Sequence, residues 1–485
     1  MSAAVKTKMQ IHGVNHAVDD DFTDVHNSRR FGRKFAGKLA YIPARGKWME
    51  FVSHGWETDT LGRAVQRAVA VTEDLMLEAA TLSIAAARAM DKKEQTALMA
   101  QAQETLAWAR KSQERRRIES MLSLAQSDPR MALDQAQLDA NDMALGLQNG
   151  VLELGPVAKF REGQPGDYIT RKSGAGWSGG YEDITCPAWE TFLQQIQPDP
   201  EVRHWLQKFI GYSLTGKTSE QIFVVMHGTG ANGKSVLVEV LKRLLGTYSQ
   251  TVQFSTFVER DQNAIRNDLA MLDKVRLVIA SEGQEGVRLD EGMVKQATGE
   301  DSISARFLHR EFFEYKPRFK VVLVTNHKPV ITGTDHGIWR RVVLVPFPIT
   351  FSKDKQDKRL IDKLENELPG ILAWAIKGFH LWQEQGLSDL PKAISSATSD
   401  YRQNSDVLGM WLDDYCQIEE TSKAASWFTS TSSLYLSYSH WADDMGHRPM
   451  SSKSLGDRLR ERGLNPGKRG GVRGWWGIRL ITPAG

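Results

Sequence analysis

Residues 227–236 read HGTGANGKSV and follow the apolar run IFVVM at 222–226. The pattern G-x-x-x-x-G-K-S lets the backbone curl with its N–H groups pointing inward, a concave cradle for anionic phosphates at a helix N-terminus. Lys234 would then reach the β- and γ-phosphates of a nucleoside triphosphate, and the Ser235 hydroxyl would hold Mg²⁺. The flanks agree, because 222–226 reads as a buried parallel strand and 236–241 opens an apolar helix pattern. A chance Gly-rich turn is the competing explanation, but all the motif positions and both flanks match. The stretch therefore predicts an ATP site built from Gly228, Thr229, Gly230, Ala231, Asn232, Gly233, Lys234, Ser235 and Val236.

Working outward, three further apolar runs at 275–280, 319–325 and 341–346 read as buried strands separated by helical stretches. That alternation predicts a parallel α/β core covered on both faces. In such a sheet the reactive groups gather at the C-terminal ends of the strands. Glu282, just past 275–280, is the carboxylate to activate an attacking water, and Asn326, past 319–325, is placed to sense the γ-phosphate. Arg340 and Arg341, after Trp339, are candidates for an arginine acting across a subunit interface. Singly these could be a loop acid, a turn residue before Pro329 and a surface pair; their shared position after strands favours one site.

Composition bounds the rest. The chain has 485 residues, 41% hydrophobic and 25% charged, as in an ordinary globular protein of two to four domains. No apolar run approaches the roughly 18 residues of a membrane span and the N-terminus lacks an apolar leader, which predicts a cytoplasmic protein without membrane partners. Cys186 and Cys416 stand far apart, so neither zinc nor a disulfide framework is suggested. Residues 448–479 hold nine Lys/Arg against two acids, a local charge of +7 within a chain of net charge +3. Such concentration is the electrostatic footprint of nucleic-acid binding.

Four segments are expected: a basic/aromatic module at 1–60, a helical domain at 61–185, the ATPase domain at 186–395 and a DNA-binding domain at 396–485. In 27–56, basic residues interleave with Phe31, Phe35, Tyr41, Trp48 and Trp56. This is either a stacking platform for single strands or a small β-rich module whose rings form its core; strand-like alternation favours the core. Residues 65–126 lack Pro and Gly and read as long helices. Residues 188–215 read as one helix, 357–385 as another, and TSKAASWFTSTSS at 421–433 as a boundary.

The runs GTGANGKS, RLVIASEGQEGVRLDEGMVKQATGEDSISARFLHREFFEYKPRFKVVLVTNHKPV and IWRRVVLVPF resemble the superfamily 3 helicases of the phage/plasmid primase-helicase type. The upstream NGVLELG, CPAWETFL and FIGYSLTGKTSEQIFVVMHG resemble the region before that ATPase, so the likeness covers roughly residues 25–390. It implies an AAA+-like sheet and an ATP- and Mg²⁺-dependent motor, with Ser235 and Glu282 at the metal and Asn326 as sensor. Arg341 is preferred over Arg340 as the trans finger. A channel hairpin within 295–311 would meet DNA through Arg306, His309 and Arg310. Also implied are a homohexameric ring in a bacterial host, 3′ to 5′ movement on single-stranded and forked DNA, and a separate primase or polymerase as partner. Ser281 stands where many members carry a second acid. The segment before the helical region is too short for the primase domain of some relatives, so helicase activity alone is expected.

Residues 432–480 read helix, turn, helix, turn, strand pair, an order resembling a winged helix. Ser451 or Ser452 would cap a helix bearing Lys453 and Arg458, and Lys468, Arg469 and Arg473 would form the wing. A protein-protein module is the alternative; the positive charge favours DNA. Two other functions compete with the replicative helicase. One is an ATP-switched origin-binding initiator without processive unwinding; the other, disfavoured by the basic tail, is a small-molecule kinase.

Overall fold

The computed structural model describes residues 22–258, 267–281, 287–306, 312–331, 333, 336–419, 426–446 and 449–481. Glu282, His309 and Arg310 lie outside the described residues. The chain divides into two compact units, residues 1–178 and 179–485.

In the first unit Thr23 caps the helix Asp24–Phe35, its side chain accepting from the His26 N–H. An antiparallel sheet follows, Leu39–Ile42, Lys47–Val52 and Gly55–Thr58. Phe31, Phe35 and Trp56 are buried, Phe31 and Phe35 against Leu39, Ala68 and Met121, so these rings are core rather than a platform for bases. The Ala-rich stretch forms helices Arg63–Arg88, Lys92–Ser112 and Arg115–Ala125. Beyond them lies a second antiparallel sheet, Ala144–Leu147, Gly150–Glu153 and Lys159–Arg161. The short helix and the long ones share one core, across the boundary expected at residue 60.

The second unit opens with two helices, Pro187–Ile196 and Pro200–Ser213, where one was expected. Pro198 and Pro200 interrupt the run, and Asp199 caps the second helix by accepting from the Glu201 N–H at 2.9 Å. A five-stranded, wholly parallel sheet follows, in the spatial order Val342–Pro346, Phe223–His227, Lys320–Thr325, Leu277–Ser281, Ser249–Gln253. The four apolar runs supply the inner strands and one edge. The other edge strand, SQTVQ, is polar and mostly solvated, and apolar patterning does not mark it. Phe223–His227 connects toward one edge, whereas its neighbour Lys320–Thr325 connects toward the other. The crevice outside the carboxyl ends of such a pair is where open α/β sheets take ligands.

At the opposite end of the sheet Arg276 and Lys320 are buried cations. They donate to the carbonyls of Leu214 and Thr215, just past the helix Pro200–Ser213, and lie over the rings of Tyr248 and Tyr212 at 4.3 and 4.7 Å. The helix Lys392–Ser405 covers the edge strand Val342–Pro346: Thr398 Oγ1 accepts from the Leu344 N–H at 3.0 Å and Tyr401 is buried in the sheet's core. It therefore packs with the sheet, although it falls largely within the segment expected to begin at residue 396.

Residues 407–480 build a separate core within this unit, with Leu408, Trp411, Leu434, Tyr438, Leu455, Leu459, Trp475 and Ile478 buried together. Helices Val407–Tyr415, Thr431–Asp444 and Ser452–Glu461 pack with an antiparallel sheet in the order Phe428–Ser430, Val472–Trp476, Asn465–Arg469. Ser451, not Ser452, is the cap of the third helix, accepting from Ser454 N–H. Gly470 and Gly471, at φ +56° and +80°, make the tight hairpin turn between Arg469 and Val472. Within the Ser/Thr-rich stretch read as a boundary, Phe428–Ser430 pairs into this sheet and Ser430 caps the next helix. Among its described residues, Ser430 is there for capping. Among the described residues no helix is long and apolar enough to cross a membrane.

Candidate functional site

The loop 228–233 joins the strand Phe223–His227 to the helix Lys234–Leu245. Gly233 caps that helix at φ +83°, in the left-handed region that a glycine adopts at least cost. Gly228 answers a different need: a Cβ there would stand 2.6 Å from the Phe347 carbonyl oxygen and 2.3 Å from Asn232 Nδ2. The Phe347 N–H in turn donates to the His227 carbonyl at 2.7 Å, and the Phe351 N–H to that of Ala231 at 2.7 Å. The loop is thus clamped from outside by the chain that follows the edge strand.

Lys234 is buried, and its Nζ donates to the Gly228 carbonyl at 2.8 Å, Asn232 Oδ1 at 3.1 Å and Asn326 Oδ1 at 3.2 Å. Burial holds this ammonium below its ordinary pKa range. Asn326 lies at the tip of Lys320–Thr325, where Thr325 is in register with His227. Lys234 therefore ties the loop of one strand to the tip of its neighbour, at the crevice defined by the topology. Among the described residues all its partners are neutral oxygens, which leaves the positive charge uncompensated by any carboxylate among these contacts. Burial also depresses the His227 imidazole, with the Lys328 and Lys234 charges adding to the effect.

A cleft of about 1280 Å³ opens beside this loop. Its floor includes Ser235, Thr251, Ile279, Ser281, Thr325 and Asn326. One wall is the helix Pro187–Ile196, through Ala188, Phe192 and Ile196; on another side stand Phe351, Leu360 and the lysines 242, 355, 358 and 363. Apolar walls, convergent polar groups and an excess of cations suit a nucleotide. The fit extends to phosphate: a close glycine turn, an exposed helix start at Ser235, a buried ammonium, and the Asn232 Nδ2, buried without a hydrogen-bond acceptor. For Mg²⁺ the described donors are the Ser235 and Ser281 hydroxyls, hard oxygen ligands of the type that ion takes.

Other expected residues fall elsewhere. Arg341 is buried, its Nη1 donating to the Gly337 carbonyl at 2.6 Å and its Nη2 to Gln221 Oε1 at 3.3 Å. Arg340 is exposed and shares Gln221 Oε1 at 2.8 Å. Arg306 flanks the hairpin of Ile303–Ala305 with Phe313–Tyr315. Lys453 and Arg458 stand on the helix Ser452–Glu461, and Lys468, Arg469 and Arg473 on the glycine-turned hairpin, where all three are exposed. Both cysteines are buried and their thiols are pushed up to about 12, which makes them poor nucleophiles.

Residues 28–198 match the family described as D5 N terminal like, and residues 226–341 match a family of unknown function, DUF5906. The "Putative helicase L207/L206" of Acanthamoeba polyphaga mimivirus is 31% identical over 310 residues, 60% of this chain and 32% of that protein. The "Putative primase C962R" of African swine fever virus, Warthog isolate, is 23% identical over 271 residues, 51% of this chain and 28% of its own length. These matches support a likeness to the superfamily 3 primase-helicases. The "Putative helicase 022R" of Frog virus 3 is a further relative, 26% identical over 246 residues, 46% of this chain and 25% of that protein. The chain thus spans a third or less of the length of these curated relatives. Among solved structures, the apo NrS-1 C-terminal region aligns over 95% of this chain and 99% of its own, at 8% identity and a TM-score of 0.45.

Several residues of the cleft escape a linear reading. Phe192 and Ile196 come from a helix whose CPAWETFL sequence marks the family but carries no chemical signature. The lysines of 355–363 lie in a stretch with no motif, and only the fold brings them to the loop 228–233.

Proposed function

We propose that the protein is an ATP-dependent replicative DNA helicase of phage, prophage or plasmid origin, working as a homohexameric ring on single-stranded and forked DNA. The observation that carries this is the bridge from buried Lys234 to Asn326, which joins a phosphate loop to the tip of the adjacent strand at the sheet's switch point. ATP binds in the cleft, its phosphates on the loop 228–236 and Lys234, its base against the wall of Phe192 and Ile196. Ser235, with Ser281 and Glu282, would hold Mg²⁺, which would supply positive charge to the phosphates. Glu282 activates the water and Asn326 orients it. Lys234 exchanges its present carbonyl and amide partners for phosphate oxygens, a gain because an anion replaces neutral acceptors around a desolvated cation.

The residue acting across the interface is Arg340 rather than Arg341, because a finger must be able to leave its own subunit. The 407–480 module is a winged helix, with Lys453 and Arg458 at the capped helix, and Lys468, Arg469 and Arg473 on the wing. Movement from 3′ to 5′ follows the family resemblance alone, as do a separate primase or polymerase partner and a bacterial cytoplasmic setting.

Strand displacement on tailed forks of both polarities, run beside single-strand-stimulated ATP hydrolysis, tests this reading. Wild-type protein should displace strands only with ATP, and Lys234→Ala should abolish both activities. ATP-dependent assembly on duplex DNA without displacement would select the initiator instead, and turnover retained by Lys234→Ala would remove the site.

A further inference from the structure

The hairpin of Ile303–Ala305 with Phe313–Tyr315 is antiparallel, with Ala305 opposite Phe313. Alternation sends Ile303, Ala305 and Tyr315 into the core of the sheet, with Phe313 packed against it, and leaves Ser304 and Glu314 exposed. Continuing the register by one rung sets Arg306 opposite Phe312 on that same outer face. The Arg306 guanidinium lies over the Phe312 ring, 4.6 Å from its centroid. Phe312 is 64% exposed, and among the described residues every other Phe, Tyr and Trp is buried or half-buried. A phenylalanine left in water forgoes roughly 1.5–3 kcal/mol of burial. The adjoining position 313 shows that this hairpin can bury a ring, so the exposure of Phe312 follows from its place on the outer face.

We infer that Arg306 and Phe312 together form a base-stacking contact for single-stranded nucleic acid. The inference rests on the helicase reading and adds to it: the hairpin grips the faces of the bases as well as the phosphates. With a cation over one face, the exposed remainder of the ring is open to a base, and any base serves because each has a π-face. A contact of this kind tolerates every sequence, as a motor on single-stranded DNA requires. Arg306 adds a phosphate-pairing charge beside the stack.

The test is equilibrium binding of the full chain to fluorescently labelled oligothymidylate and to an abasic strand of the same length, over a range of salt concentrations. Wild type should prefer the strand with bases. Phe312→Ala should weaken oligothymidylate binding by about ten-fold, in line with ~1–3 kcal/mol per stacked base, with abasic binding and salt slope unchanged. Phe312→Trp should restore the preference, and Arg306→Ala should lower the salt slope on both strands by about one. Equal loss on both strands, no loss on either, or a changed oligomeric state in Phe312→Ala would overturn the inference. Wild type that binds both strands equally refutes the stacking alone, whereas wild type that binds neither refutes the DNA reading beneath it. Because Phe312 is exposed, its variants should melt as wild type does, which separates lost contact from lost fold.

Discussion

At Lys234 a cation is held out of water by three neutral oxygens, from Gly228, Asn232 and Asn326. That is an expensive ground state, and on the proposed function a bound phosphate would relieve it. The neighbouring arginines divide by the same logic of burial. Arg341 is part of its own subunit's interior, so Arg341→Ala should lower stability by roughly 1–3 kcal/mol, the cost of leaving buried partners such as Gln221 and the Gly337 carbonyl unpaired, measured by chemical denaturation. Arg340→Ala should leave the unfolding midpoint unchanged and still suppress hydrolysis. Mixed with Glu282→Gln subunits, which keep Arg340, it should regain activity; mixtures that stay inactive would remove the arginine from the interface.

Elements reach the site through contacts remote in sequence. The helix Pro187–Ile196 walls the cleft, yet its first N–H groups, at Ala188 and Trp189, donate to the carboxylate of Glu367 at 3.0 and 2.9 Å. Glu367→Ala should cost about 1–2 kcal/mol, as lost caps do, and weaken nucleotide binding more than it changes turnover at saturation. Nucleotide titration by fluorescence and steady-state kinetics would show that split. In the first unit Asp59 caps the helix Arg63–Arg88, accepting from the Leu61, Arg63 and Ala64 N–H groups at 3.1, 2.9 and 2.9 Å. Burial opposes the charge, but these bonds outweigh it and hold the Asp59 carboxyl below its usual range. A depressed carboxyl contributes stability that is present above its unfolded pKa and lost as pH falls through the folded one. Stability should therefore decline below about pH 4, and Asp59→Asn should flatten that decline by lowering stability at neutral pH while changing little in acid. An unaltered acid limb in the variant would exclude this cap as a source.

For the whole molecule, the module at 407–480 joins its two ends, because Cys416–Ile418 pairs with Ile478–Leu480 and Asp406 accepts from Arg462. A cut at 434 would break this core, whereas removal of 407–485 spares the helix Lys392–Ser405 that covers the sheet. That deletion should keep basal ATP hydrolysis and lose most duplex affinity together with its steep salt dependence, measured by binding across ionic strengths. Unchanged duplex affinity would turn the basic module toward a protein partner.

Where structure rests on a short run of chain, the linear sequence was enough. The strand, loop and helix over 223–245, the apolar strands beside them and the order of the elements in the basic module all follow from motif and periodicity. Both are local properties of backbone conformation and of the alternation between buried and solvated faces. The polar edge strand Ser249–Gln253, the break at Pro198 and Pro200, the burial of Arg341 beside an exposed Arg340, and the cleft wall of Phe192 and Ile196 were decided only by the tertiary structure. The pairing of Arg306 with Phe312 belongs with them, since it depends on the register of the hairpin. Exposure, register and convergence are set by what packs against a residue from distant parts of the chain, and the sequence around the residue does not contain them.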